Sequence, residues 1–304
     1  MDWQDFSKHL NQSLSLSRDP IHIQSVHPIS GGDIHQSYQL HTPSKNYFLK
    51  LNDSLYATLF ETEHHCLTAM FDSNTLTCPQ PFGSGIYNDQ AWLLMEFIDL
   101  SSSKTPDNEQ QRGRALAHMH HQINSTSDHI FKPYGWFENN FIGLTPQNNE
   151  WHSDWQTFYA QQRLKPQLEL ASLRNAPASL YASGMQLIDE LEFWFTDYTP
   201  EASLLHGDLW AGNSGFDQQG EPIFFDPACY YGDRETDLAM TELFGGFTTD
   251  FYSGYNELFP LDKGYQQRKP LYNLYHILNH FNLFTGDYDQ QAEKIIHHLL
   301  NQIK

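Results

Sequence analysis

Three polar residues late in the chain have the types and spacing to handle a phosphoryl group. Asp208 lies in Leu204-Leu205-His206-Gly207-Asp208-Leu209-Trp210-Ala211-Gly212-Asn213, with Asn213 five positions after it. Thirteen residues further on, the apolar pair Phe224-Phe225 runs into Asp226-Pro227-Ala228. A loop carboxylate such as Asp208 can orient an acceptor hydroxyl and take its proton. The amide oxygen of Asn213 and the carboxylate of Asp226 can ligate a hard cation, Mg2+, whose charge offsets that growing on a triphosphate. A solitary Asp before Leu or Pro more often caps a turn. Strand, loop Asp, loop Asn, strand and Asp in this order point instead to chemistry.

The same chemistry calls for a cation on the triphosphate and an anion to hold that cation. In Tyr47-Phe48-Leu49-Lys50-Leu51, period-2 alternation puts Tyr47, Leu49 and Leu51 on one face and Phe48 with Lys50 on the other. A lysine on a mostly apolar strand loses solvation unless it meets an anion. The helix that follows, from about Ser54, carries Leu59, Glu63, Leu67 and Met70 on one face, so Glu63 is the chosen partner, with Glu61 the competitor. Ser30-Gly31-Gly32-Asp33-Ile34 sits between two strand signals and can cover phosphates with backbone N–H groups, although most glycine pairs only make hairpins. Glu96-Phe97-Ile98 ends a buried strand, and its backbone is expected to hydrogen-bond adenine.

These groups need a framework. An amphipathic helix over residues 1–17, strands at 21–29, 37–41, 47–51 and 91–98, and a turn around Pro79–Gly85 make a sheet-rich first third. The run Asp99–Asn108, with three serines and Pro106, has the composition of a connector. Beyond it, helices are expected at 109–124, 154–173, 178–198, 235–246, 266–284 and 288–303, with short strands near 203–206 and 222–226. This is an α+β chain in two lobes, residues 1–98 small and β-rich and residues 99–304 larger and mostly helical, with the site between them.

Composition removes other classes. Seventeen Lys+Arg stand against 37 Asp+Glu, a formal charge of −20, whereas a nucleic-acid partner demands a basic face. The apolar stretch Ala91–Met95 is far shorter than the ~18 residues of a membrane span. The three cysteines, Cys66, Cys78 and Cys229, form no CxxC pattern, and the first residues lack a basic and an apolar signal region, so a reducing cytoplasm is expected. His118, His120 and His121 are adjacent on a helix and cannot converge on one ion; His120 is expected to face inward.

The segment from Leu204 to Asn213 resembles a kinase catalytic loop, with His-Gly-Asp as in the aminoglycoside and choline kinase-like branch. The whole chain further resembles the fructosamine (ketosamine) kinase family. The resemblance rests on Gly31-Gly32-Asp33-Ile34, Phe60-Glu61-Thr62-Glu63, Gly135-Trp136-Phe137-Glu138-Asn139-Asn140-Phe141-Ile142-Gly143, Gln147-Asn148, Trp155-x-x-Phe158-Tyr159 and Arg163-Leu164. It is most specific at His206–Asn213 and at Asp226-Pro227-Ala228-Cys229-Tyr230-Tyr231-Gly232-Asp233-Arg234-Glu235. Ala211 stands where Ser is usual, His35 where Asn is common, and Asp33 where some relatives carry a redox-active Cys.

The resemblance implies a two-lobed protein-kinase-like fold and ATP- and Mg2+-dependent phosphorylation of the sugar 3-hydroxyl of a ketosamine, small or protein-bound. The product would decompose spontaneously, which would make the chain a deglycating enzyme. Asp208 would act on the hydroxyl, Asn213 and Asp226 on metal, and Gly31, Gly32, Asp33, Lys50, Glu63, Glu96, Phe97 and Ile98 on the nucleotide. Trp210, Asp233 and Glu235 are substrate-side candidates, and Trp210 equally well packs the loop. Asp237 is expected to brace the loop from a helix start. The rival readings are an aminoglycoside or choline kinase of the same fold, and a nucleotide-binding pseudokinase.

Overall fold

The computed structural model describes residues 1–16, 20–29, 35–122 and 131–303. Its N-terminal region is an antiparallel sheet of β1 (Ser25–Ile29), β2 (Gln36–His41), β3 (Asn46–Asp53), β4 (Pro81–Tyr87) and β5 (Gln90–Glu96), in the order β1-β2-β3-β5-β4. Helix α1 (Trp3–Ser13) covers one face and α2 (Ala57–Asp72) the other. The alternation of β3 decides which side chain meets which helix. Tyr47, Leu49 and Leu51 pack with Phe6 and Leu10 of α1. Phe48 lies with Leu59, Phe60 and Leu67 of α2, and Lys50 projects to the same side. Phe60 and Leu67 have no exposed surface, so truncating either costs about 2–5 kcal/mol.

The C-terminal region holds β6 (Leu100–Ser101), α3 (Pro106–His120), the hairpin β7 (Asn140–Ile142) and β8 (Thr145–Gln147), and α4 (Trp155–Phe158). α4 passes through a π-helical turn at Tyr159–Leu164 into α5 (Lys165–Leu173), followed by α6 (Ala178–Asp189). Then come β9 (Ala202–Leu205), β10 (Ser214–Asp217), β11 (Pro222–Phe224), β12 (Tyr230–Asp233), α7 (Glu235–Leu243), α8 (Thr249–Leu258), α9 (Tyr265–Phe284) and α10 (Tyr288–Gln302). β6 joins β10 and β11 in one small sheet, and β9 pairs with β12. The loop holding Asp208 leaves β9, and Asp226 follows β11, so two short ladders fix both carboxylates.

Several sequence expectations are corrected. Pro79–Gly85 is mostly strand, not turn: Gly85 lies against the Trp92 ring, 3.0 Å from where a Cβ would stand, so a missing side chain makes room for an aromatic one. Extended pairing begins at Ser25 rather than Ile21. The connector is shorter than expected, because the Thr105 hydroxyl accepts from Asn108 N while Asn108 Oδ1 accepts from Thr105 N, a reciprocal cap that starts α3 at Pro106. Helix α8 was not expected in a segment rich in aromatics and containing Gly254. At Gly254 it comes so close to α3 that a Cβ would lie 2.2 Å from the Gln110 carbonyl oxygen. Among the described residues, no helix is long and apolar enough to cross a membrane.

Candidate active site

The loop that carries Asp208 is held from behind. Asp237, in the first turn of α7, accepts the N–H groups of His206 (2.8 Å) and Gly207 (2.9 Å) and faces His120 Nε2 at 3.0 Å. Burial alone would raise the Asp237 carboxyl, but its contacts with His120, His206 and Gly207 outweigh it and hold the group below its usual range. The sequence reading of Asp237 as a brace agrees with these bonds, and His120 is fully buried as expected. His120 Nδ1 in turn meets the Tyr255 hydroxyl at 2.8 Å, and Arg234 donates to that hydroxyl.

His206 fixes the other side of the loop. Its Nδ1 accepts from Asp208 N at 3.3 Å, which leaves the proton on Nε2, and Nε2 donates to the Phe225 carbonyl at 3.0 Å. Burial lowers its pKa, so the ring is a neutral bridge between the Asp208 loop and the strand that delivers Asp226. Gly207 has φ +82°, and a Cβ there would fall 2.0 Å from the Ala228 carbonyl oxygen, so only glycine fits. His206 was legible as part of the motif, but its bridging role needed the three-dimensional crossing of the two segments.

In front of this scaffold the structure brings Lys50, Glu63, Asp208, Asn213 and Asp226 together. Lys50 Nζ donates to Glu63 Oε1 (2.7 Å) and to Asp226 Oδ1 (2.8 Å). Glu61 is exposed, so geometry selects Glu63 over it as the lysine's partner. Burial pulls the Lys50 ammonium down, yet Asp226 and Glu63 outweigh it and keep the group above its ordinary range. Asn213 Nδ2 donates to the Asp208 main-chain carbonyl (2.9 Å) and to Asp208 Oδ2 (3.2 Å). With Nδ2 so engaged, the Asn213 amide oxygen accepts no hydrogen bond from the described residues, and the nearby Asp226 carboxylate is partly open. Asp208 is pushed up to about 7, chiefly by burial and then by the negative charge of Asp226, against the hydrogen bond from Asn213.

The donor chemistry fits Mg2+. Asn213 and Asp226 offer hard oxygen atoms, and Mg2+ commonly takes only one or two protein ligands, leaving the rest to phosphate and water. Among the described residues no cluster of three His, Cys, Asp or Glu side chains could hold a metal by itself.

The remaining candidates divide. Gly31, Gly32 and Asp33 lie outside the described residues. His35, the first described residue after them, stacks at a tilt on Phe60 and bonds Asn52 through Nδ1 at 2.7 Å. Burial and then the Lys50 ammonium lower it to about 4, so it is neutral. At the end of β5, Glu96 N donates to the Gln80 carbonyl at 2.8 Å, and Phe97 N reaches the Asn46 carbonyl only at 3.4 Å. Ile98 is partly exposed, and its N–H meets no acceptor among the described residues. Trp210 is 43% exposed, with its ring against Gly212, so it is open to a ligand at the loop's edge.

Asp233 and Glu235 are a correction. Both are completely buried. Asp233 accepts from the hydroxyls of Tyr198 (3.0 Å) and Tyr272, and Glu235 is held by two bonds from Arg268 at 2.8 and 2.9 Å. Their acidity serves this internal network, leaving nothing to face a substrate. The amides Asn140 and Gln147, given no role from sequence, are buried directly behind Asp226-Pro227-Ala228-Cys229. A run of amides, Asn139-Asn140 and Gln147-Asn148-Asn149, between Trp136 and Trp151 was the available signal.

Comparison with known proteins agrees with this geometry. The family model described as Fructosamine kinase matches residues 2–302. A relative named "Probable ketoamine kinase" from Synechocystis sp. is 40% identical over 294 residues, covering 97% of this chain and 95% of that one. A protein-ribulosamine 3-kinase of Oryza sativa subsp. japonica, a chloroplastic protein, is 37% identical over 310 residues, 98% of this chain and 88% of its own length. A crystal structure described as a "Putative fructosamine-3-kinase" from Haemophilus somnus has TM-score 0.85 at 26% identity, over 98% of this chain and 97% of that one. An aminoglycoside phosphotransferase bound to AMP-PNP and hygromycin B has TM-score 0.60 at 15% identity, covering 96% of this chain and 97% of that one, a likeness of fold alone.

Proposed function

This chain belongs to the fructosamine kinase family, and we propose that it transfers the γ-phosphoryl group of ATP to the sugar 3-hydroxyl of a ketosamine. The observation that carries the reading is the convergence of Asp208, Asn213 and Asp226 beside a Lys50–Glu63 pair, in a chain matched to that family over residues 2–302.

In this reading Asp208 accepts the hydroxyl proton as the 3-oxygen bonds to the γ-phosphorus. The bond to the β–γ bridging oxygen breaks and ADP leaves. A carboxylate near pH 7 is suited to take that proton, and neutralising Asp226 would make Asp208 ionise more readily. Asn213 and Asp226 would hold Mg2+, which when bound neutralises charge on the triphosphate. Lys50 would bind phosphate oxygens and Glu63 would keep it in place. The Gly31-Gly32-Asp33 loop would cover the phosphates, and the Glu96–Ile98 backbone would meet adenine, with the Ile98 N–H as donor. The exposed Trp210 face offers a platform to the sugar, whose neighbouring amine is cationic and suits an aromatic surface.

We place the lobe division at residues 98/99 and the protein in the cytoplasm, where the buried Cys66, Cys78 and Cys229 stay reduced. Product analysis by 31P and 13C NMR tests the reaction. Phosphate on the sugar 3-oxygen of a ribulosamine or fructosamine is expected. Phosphate at any other position, or on the amine's own side chain, would overturn the assignment.

A further inference from the structure

Asp226 has φ +57°, a left-handed conformation that Asp adopts more readily than most residues but still at some backbone cost, and here it is restrained. The restraint comes from the residues that follow. Ala228 N donates to the His206 carbonyl at 2.8 Å. The Ala228 carbonyl accepts from Gln147 Nε2 at 3.1 Å, and the Cys229 carbonyl accepts from Asn140 Nδ2 at 2.9 Å. Both amides are almost fully buried, so water cannot substitute for them.

The direction of these bonds is set from a distance. Arg163 has donors only. One of them goes to Asn149 Oδ1 at 2.7 Å, which turns Asn149 Nδ2 toward Asn140 Oδ1 at 2.8 Å. Asn140 must then present Nδ2 to Cys229. Gln147 Nε2 also donates to Asn140 Oδ1 (2.9 Å), and its Oε1 accepts from the Tyr275 hydroxyl (2.7 Å), so its amide polarity is fixed as well. The same cluster reaches α2. Asn140 Nδ2 and Cys229 N lie 3.4 and 3.3 Å from Cys66 Sγ, one helical turn beyond Glu63.

We propose that Asn140 and Gln147 are positioning residues for phosphoryl transfer, holding the Ala228 and Cys229 carbonyls and thereby the strained turn that aims Asp226 at the metal–nucleotide. The proposal rests on the reading of Asp226 as a metal ligand. It gives the β7–β8 hairpin a task. The hairpin keeps the Asp226 turn and α2 in one arrangement, so the Lys50–Glu63 pair and Asp226 are set together.

The test uses the full chain with Mn2+ as the metal, followed by electron paramagnetic resonance, and a non-hydrolysable ATP analogue. The variants are Asn140→Ala and the nearly isosteric Gln147→Met. Asn282→Ala, which removes an equally buried amide holding Gln167, is the control. All three are expected to lower the melting temperature. Only the first two are expected to weaken Mn2+–analogue binding, by about tenfold, with binding of the metal-free analogue unchanged. Should Asn140→Ala not fold, Gln147→Met carries the measurement alone.

Asp226→Asn is run beside them. Weakening by Asp226→Asn but not by the folded amide variants, or equal weakening by Asn282→Ala, overturns the positioning role alone. Unchanged Mn2+ binding in Asp226→Asn overturns the ligand assignment, and the positioning role with it.

Discussion

Replacing Asp208 by Asn should remove activity and at the same time stabilise the protein. Asp208 has an ordinary carboxyl value of 3.8 and is pushed up to about 7 in the folded chain, first by burial and then by Asp226. A group whose folded pKa lies above its unfolded one favours folding at low pH, and that advantage is lost as pH rises through the folded value. The wild-type chain therefore carries a growing cost between about pH 4 and pH 7 that the neutral Asn variant escapes. A shift of roughly three pKa units at about 1.4 kcal/mol each sets an upper bound near 4 kcal/mol. The side chain is partly open to water, and about half that figure, ~2 kcal/mol, is the working expectation at pH 8. In a chain of this size that corresponds to a melting temperature higher by about 4 °C. Thermal melts without metal at pH 8 and pH 5, run beside a kinase assay, check it. The stabilisation should be larger at pH 8 and shrink toward pH 5. A variant no more stable than wild type at pH 8, or equally stabilised at both pH values, would refute the account of a strained catalytic carboxylate.

Three further changes probe the scaffold. Lys50→Met strands Glu63 in a buried position and should cost about 3 kcal/mol in chemical denaturation; Lys50→Met/Glu63→Leu should regain much of the stability and none of the turnover. Gly207→Ala places a Cβ 2.0 Å from the Ala228 carbonyl oxygen at φ +82°, and a destabilisation of more than about 3 kcal/mol is expected from melts. Asp237→Asn keeps the shape but loses one of the acceptors that serve His206 N, Gly207 N and His120. Steady-state kinetics should show kcat down at least about tenfold with the KM for ATP nearly constant, since the loop and not the nucleotide face is disturbed.

The parts of the fold with strong periodicity were legible from sequence. Strand β3 shows its two faces by simple alternation and α2 shows its buried stripe, so Lys50 and a helix carboxylate could be expected to meet, but the choice of Glu63 over Glu61 needed the geometry. The short ladders of β7, β8, β10 and β12 have three or four residues each, too few for a period to emerge. Helix α8 is built on aromatics and a close glycine contact, so tertiary packing rather than local propensity makes it a helix. Among the site residues, motif order placed Asp208, Asn213 and Asp226, whereas Asp233 and Glu235 read as substrate-side candidates and are buried in an internal network. Whether an acid faces a substrate or a buried arginine depends on Arg268, Tyr198 and Tyr272, which lie more than thirty residues away in the chain. The amide network behind Asp226 is likewise assembled from β7, β8 and α9; the amide run marks its members in the sequence, but their partners lie far away in the chain.

The most direct measurement is ADP release with Mg2+ and ATP over a panel of ribulosamine, fructosamine, choline and aminoglycoside acceptors, with Asp208→Asn in parallel. Ketosamine-dependent release in the wild type, absent from the variant, is the predicted result. Preference for choline or an aminoglycoside would contradict the substrate assignment while leaving the kinase chemistry in place. ATP binding with no acceptor turned over would contradict the proposed activity.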